Sequence, residues 1–96
     1  MTNINILYDG QYDDVDIISI PSNMIGCIDK LAQEYLDWTP PDDDVDNWVI
    51  INNKRCMSKG SLGFVNWLNS MYCVNEKASI VSENVSFCPS YSTIEF

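Results

Sequence analysis

The spacing of chain-breaking residues constrains this chain most: Asp9-Gly10, Pro21, Pro40-Pro41, Asn52-Asn53 and Pro89-Ser90 recur from one end to the other. Glycine tolerates the positive φ that tight turns demand, and asparagine comes next. Proline removes a ladder donor, so it stops a strand. The residue before a proline avoids the α region, so a helix cannot run through Pro40-Pro41. The chain must therefore be assembled from short elements.

Between the breakers the apolar periodicity assigns types. Asn3–Tyr8 alternates Ile4 and Ile6 against Asn3 and Asn5 and reads as a strand, as does Val15–Ile20; together they suggest a hairpin with a loose acidic tip. Ser22 or Asn23 is placed to cap a helix that runs to about Trp38, with Ile25, Ile28, Leu31, Ala32, Tyr35 and Leu36 on one face. Gly26 weakens its first turn by about 1 kcal/mol relative to alanine. Asn47–Ile51 contains a Trp-Val-Ile-Ile run that suits a strand buried on both faces, and Asn52-Asn53 turns it back into Lys54–Met57. Ser58 or Ser61 caps a second helix ending near Tyr72, its face formed by Phe64, Trp67, Leu68 and Met71, with Asn66 and Asn69 pointing away. Ala78–Phe87 reads as a strand interrupted near Glu83-Asn84, and Thr93–Phe96 closes the chain. The order β-β-α-β-α-β-β predicts an α+β fold: a mainly antiparallel sheet with both helices on it. No linker or repeat divides the chain, so residues 1–96 are read as a single small domain.

Composition agrees with a folded protein. Apolar residues make up 46% of the chain, too many for a disordered acidic tail. No apolar stretch is long enough to span a bilayer, and the first residues lack the basic segment of a secretory signal, so a cytoplasmic protein is expected. The four cysteines, Cys27, Cys56, Cys73 and Cys88, form no CxxC pair and have no histidine to join them, which argues against zinc. In the cytosol they are expected reduced, with Cys27 and Cys73 acting as small apolar residues on the helices.

Charge is the functional signal. Residues 1–46 carry a net −10 and residues 47–96 a net +1, giving −9 for the chain. The acids cluster as Asp13, Asp14 and Asp16, and as Asp42, Asp43, Asp44 and Asp46, with Tyr12 and Trp38 beside them. Carboxylates steer the encounter with a basic partner, and aromatic rings supply desolvated anchors. These nine residues are the candidate partner-binding set. Trp48 and Trp67 are read as core. Lys54, Arg55 and Lys59 make too thin a basic patch for nucleic acid on so acidic a molecule and are read as offsetting the acidic loops or lying on a solvated hairpin.

Catalysis finds little support. Without histidine neither a Ser-His-Asp nor a Cys-His arrangement is possible within this chain. The stretch Gly60-Ser61-Leu62-Gly63 lacks a complete phosphate-binding pattern, and a cap with a close packing contact explains its glycines better. Neither acidic cluster has the glycine and glutamate of an EF-hand loop. No enzyme activity, cofactor or dedicated metal site is expected.

In size, acidity and mixed α+β pattern the chain resembles the small immunity proteins that bacteria make against polymorphic toxins, those of contact-dependent inhibition among them. The resemblance implies a cognate protein toxin, basic and often a nuclease, whose active site or substrate surface is occluded, with no direct contact to nucleic acid or membrane. Two other readings stay open: a nucleic-acid mimic that inhibits a nuclease, restriction enzyme or CRISPR effector, and an acidic structural or metal-binding module. Near-neutral charge in the C-terminal half favours a localised protein interface over mimicry.

Overall fold

A computed structural model describes residues 1–45, 47–73 and 75–96. Among them the chain forms β1 (Thr2–Leu7), β2 (Val15–Ile20), a 3₁₀ segment (Ser22–Cys27), α1 (Ile28–Asp37), β3 (Trp48–Ile51), β4 (Lys54–Met57), α2 (Ser61–Met71), β5 (Ser79–Val85) and β6 (Ser92–Glu95). The main sheet has the order β5-β2-β1-β6, antiparallel except for β1 beside β6; β3 and β4 form a separate two-stranded sheet. The α+β class and the element order follow the sequence reading.

Register decides which face is inner. Ile4 lies opposite Ile18, Ile6 opposite Ile94, and Ile18 opposite Ile80, so these side chains share one face. That face packs on Leu31, Ala32 and Tyr35 of α1 and on Phe64, Trp67 and Leu68 of α2. The opposite face carries Asn5, fully buried, whose amide donates to Cys88 O at 2.9 Å and accepts Cys88 N–H at 3.1 Å. This exchange satisfies a buried amide and holds the β5–β6 connection against the sheet.

Turn chemistry is where expected. Asp9 and Gly10 have φ of 51° and 71°, and Asn52 and Asn53 have 52° and 64°, so each pair takes the left-handed conformation that suits a tight turn. Asn84, at φ 55°, sits where the β2–β5 register shifts, and the strand ends at Val85 rather than Phe87.

Several expectations are overturned. The first helix is not continuous from Ser22: Cys27, at φ −123° and ψ 15°, separates the 3₁₀ segment from α1, and neither Ser22 nor Asn23 caps it. Ser22 Oγ instead bonds Thr2 Oγ1 at 2.6 Å. Cys27 is exposed in consequence, whereas Cys73 is buried; all four thiols are free. On α2, Met71 is 55% exposed while Val65 is buried, so the inward stripe lies nearer Val65 than the expected face. Asn69 does not point away, because its amide bonds both the N–H and the carbonyl of Ala78.

The largest correction concerns β3. Its Val49, Ile50 and Ile51 are 40%, 70% and 54% exposed, because among the described residues β3 pairs only with β4 and neither joins the main sheet. Trp48 is half-buried and not core: its indole N–H donates to Pro41 O at 2.8 Å and the Arg55 guanidinium lies 4.2 Å over its ring. Trp67 is core, as expected.

Candidate functional site

The first acidic loop leaves one end of the main sheet, and the second starts near that end. The first joins the end of β1 to the start of β2. The second begins where α1 ends, and the ring of Tyr35 in its last turn packs 5.7 Å from that of Phe96, which lies 6.2 Å from Tyr8. Tyr8 follows directly on β1, so the C-terminus of α1 and the β1–β2 turn are neighbours through Phe96.

The first loop presents Tyr12, Asp13 and Asp14, all exposed. Tyr12 is 59% exposed and meets Phe87 edge-on at 5.2 Å, while its carbonyl accepts Phe87 N–H at 3.0 Å. The loop is thus anchored at Tyr12, as it is nearer β1 by the backbone bonds of Asp9 and Gln11, while the Tyr12 ring and the carboxylates remain accessible.

Asp16 does not belong to that surface. It lies opposite Ile6, which puts its side chain on the inner face of the sheet. There Ser61 Oγ donates to Asp16 Oδ2 at 2.6 Å and the Tyr8 hydroxyl donates to the same oxygen at 3.0 Å. Tyr8 also accepts the Ser61 backbone N–H at 2.8 Å. Gly60 precedes α2 without any side-chain cap, so Tyr8 and Asp16 supply from the sheet what the helix N-terminus lacks. Burial, ahead of the nearby Asp16 charge, pushes the Tyr8 hydroxyl above its ordinary pKa, although its bonds to Ser61 act the other way. The three groups satisfy one another, an arrangement that secures α2.

The second loop is tied to the hairpin and to α1. Asp42 pairs with Arg55 at 3.3 Å, and the same guanidinium bonds the Asp42 carbonyl. Asp43 is exposed. Asp44 accepts Asn47 Nδ2 at 2.9 Å, and Asn47, fully buried, accepts a short bond from the Tyr35 hydroxyl. Asp46 lies outside the described residues. Trp38 is half-buried against the core rather than presented whole, yet with Pro41, Asp44, Trp67 and Met71 it walls a cleft of about 290 Å³.

Lys59 holds the base of this loop. Its ammonium donates to the Tyr35 carbonyl at 2.9 Å and to that of Trp38, and it lies 4.4 Å over the Tyr35 ring. These carbonyls belong to the last turn and C-cap of α1, where a cation is favoured. Burial lowers the Lys59 pKa, and the Asp44 charge opposes that shift. Arg55 and Lys59 therefore act within the molecule, as the sequence reading expected.

Sequence reasoning missed the exposed apolar side chains of the hairpin. Ile50 (70%), Ile51 (54%) and Met57 (51%) stand out, and Val45 just before the hairpin is 84% exposed. The signal was an apolar run of strand length followed, after the Asn52-Asn53 turn, by the charged Lys54-Arg55. Among the described residues no group of three or more Cys, Asp or Glu side chains is arranged to hold a metal, and no helix is long and apolar enough to cross a membrane. No protein-family model matches the chain, and neither a curated protein nor a solved structure is significantly similar to it.

Proposed function

We propose that this chain is a stoichiometric inhibitor of the immunity type, which binds and occludes a basic protein toxin in the cytosol of the cell that makes it. The observation that carries this reading is the exposure of carboxylates on both acidic loops, the second of which starts from the end of α1 that packs near the β1–β2 turn. Asp13, Asp14, Asp42 and Asp43 are exposed, as is the Tyr12 ring on the first loop. Exposed negative charge concentrated in residues 1–46 steers a basic surface toward them, and the Tyr12 ring and the hairpin supply apolar contact once water is displaced. Asp16 leaves the proposed interface, because its carboxylate is engaged with α2. Trp38 contributes as a wall of the cleft.

The test is affinity capture from the host, washed at low and high salt, followed by assay of the captured protein's activity with and without this chain. A basic partner, released by salt and inhibited at one-to-one stoichiometry, supports the reading. A captured partner whose activity is unchanged at saturation overturns inhibition.

A further inference from the structure

We propose that the outer edge of β3 accepts an extended strand from the basic partner, making the β3–β4 hairpin the apolar anchor of the interface. This rests on the reading of the chain as a binder of a basic protein, and it adds where and how that partner docks. Three observations carry it.

The first is backbone geometry. The two-residue turn at Asn52-Asn53 makes Ile51 and Lys54 a hydrogen-bonded pair, and at the other end Ser58 N–H bonds Asn47 O at 2.8 Å. Hydrogen bonding alternates along an antiparallel pair, so Val49 also faces β4. The N–H and C=O groups of Trp48 and Ile50 therefore point away from β4, and among the described residues no strand pairs with that edge.

The second is the asymmetry between the two edges. The β4 edge carries Lys54 and Arg55, charges of the kind that discourage strand addition, whereas β3 has no charged residue. A two-stranded ribbon is marginal alone in water, and this one exposes apolar side chains on both faces: Ile50 and Met57 on one, Val49 and Ile51 on the other. A third strand would bury part of each face.

The third is charge, which selects the occupant. Asp43 is exposed a few residues before the hairpin, beside Asp42, which Arg55 holds at its surface, so a strand laid along β3 meets carboxylates at its Trp48 end. A strand with alternating apolar residues and a Lys or Arg flank complements both features. A second copy does not, since each carries −9 and the two would repel.

The experiment titrates ¹⁵N-labelled protein with two synthetic peptides: a Val/Thr-alternating strand peptide with lysine flanks, and an all-lysine peptide of equal length. The expected result is saturable shifts at Trp48–Ile51 with the strand peptide alone, and slowed amide exchange at Trp48 and Ile50. Ile50→Pro removes an outward N–H without breaking the β3–β4 ladder and should weaken the strand peptide about tenfold. Ile50→Lys places a charge on the same edge, keeps every backbone donor, and should weaken it similarly should the proline disturb the hairpin. Shifts confined to the acidic loops with both peptides overturn strand docking and leave the acidic surface standing. Absence of binding by either peptide overturns the basic-partner reading as well. A concentration-dependent dimer by analytical ultracentrifugation, abolished by Ile50→Lys, would assign the edge to a second copy and overturn the proposal.

Discussion

The hydroxyl of Tyr35 occupies the space that a Cβ on Gly63 would fill, and Asn47 Oδ1 closes on the same point. In a helix interior, glycine to alanine ordinarily stabilises by about 1 kcal/mol. Here the added methyl would displace the buried bond between Tyr35 and Asn47, which ties α1, the 38–47 loop and α2 together. Gly63→Ala should therefore destabilise, by about 1–3 kcal/mol, reversing the usual sign. Urea unfolding of the variant against wild type reads the difference directly.

Lys59 supplies donors that α1 lacks at its C-terminus. Lys59→Met keeps the aliphatic stem but removes the bonds to the Tyr35 and Trp38 carbonyls. The expected loss is about 1 kcal/mol, moderate because the ammonium is partly solvated. Amide exchange should quicken in the last turn of α1 and leave β1 and β2 unchanged.

Tyr8 makes stability depend on alkaline pH. Its folded pKa is raised, so the folded state holds the phenolic proton after the unfolded chain has begun to lose it near pH 10. The stabilisation is complete below that pH and is lost as pH rises through the folded value. Tyr8→Phe should cost about 1–2 kcal/mol at pH 7 from the broken links to Asp16 and Ser61. The gap between variant and wild type should narrow above pH 10. Tyr72, whose pKa is raised by its hydrogen bond to Glu34, is present in both proteins and cancels.

The thiols should react in order of exposure. Cys27 is exposed, Cys56 and Cys88 are intermediate, and Cys73 is 4% accessible. Pulsed alkylation with mass spectrometry should modify Cys27 first and Cys73 last. Equal rates at Cys27 and Cys73 would contradict the packing at the end of α2.

What the sequence disclosed follows from which signals are local. Alternation in Asn3–Tyr8, the left-handed pairs Asp9-Gly10 and Asn52-Asn53, and the stops at Pro21 and Pro40-Pro41 depend on neighbouring residues alone, and they located the elements. Asp16 was misplaced because its role depends on register: pairing with Ile6 turns it inward, and nothing near it in sequence announces Ser61. The Trp48–Ile51 run looked buried because composition cannot distinguish a central strand from one that has a single neighbour. Cys27 and Met71 failed for a related reason, since a break at Cys27 and a slight rotation of α2 move residues off the expected face. The acidic loops were legible as clusters; that the second starts near the β1–β2 turn needed the contacts of Phe96.

The two acidic loops can be separated by charge reversal. Asp13→Lys with Asp14→Lys, and Asp42→Lys with Asp43→Lys, each change the formal charge from −9 to −5. Exposed carboxylates act chiefly on encounter, so each pair should slow association with the captured basic protein about tenfold at low salt and flatten its salt dependence. Dissociation should differ between them. Asp13 and Asp14 lie in an exposed turn, and their reversal should leave the off-rate nearly unchanged. Asp42 also holds Arg55, which stacks on Trp48, so the second reversal loosens the hairpin base and should raise the off-rate as well. Stopped-flow association and surface-immobilised dissociation measure the two rates separately. Unchanged association for either pair would remove that loop from the interface, and unchanged association for both would remove the acidic surface altogether.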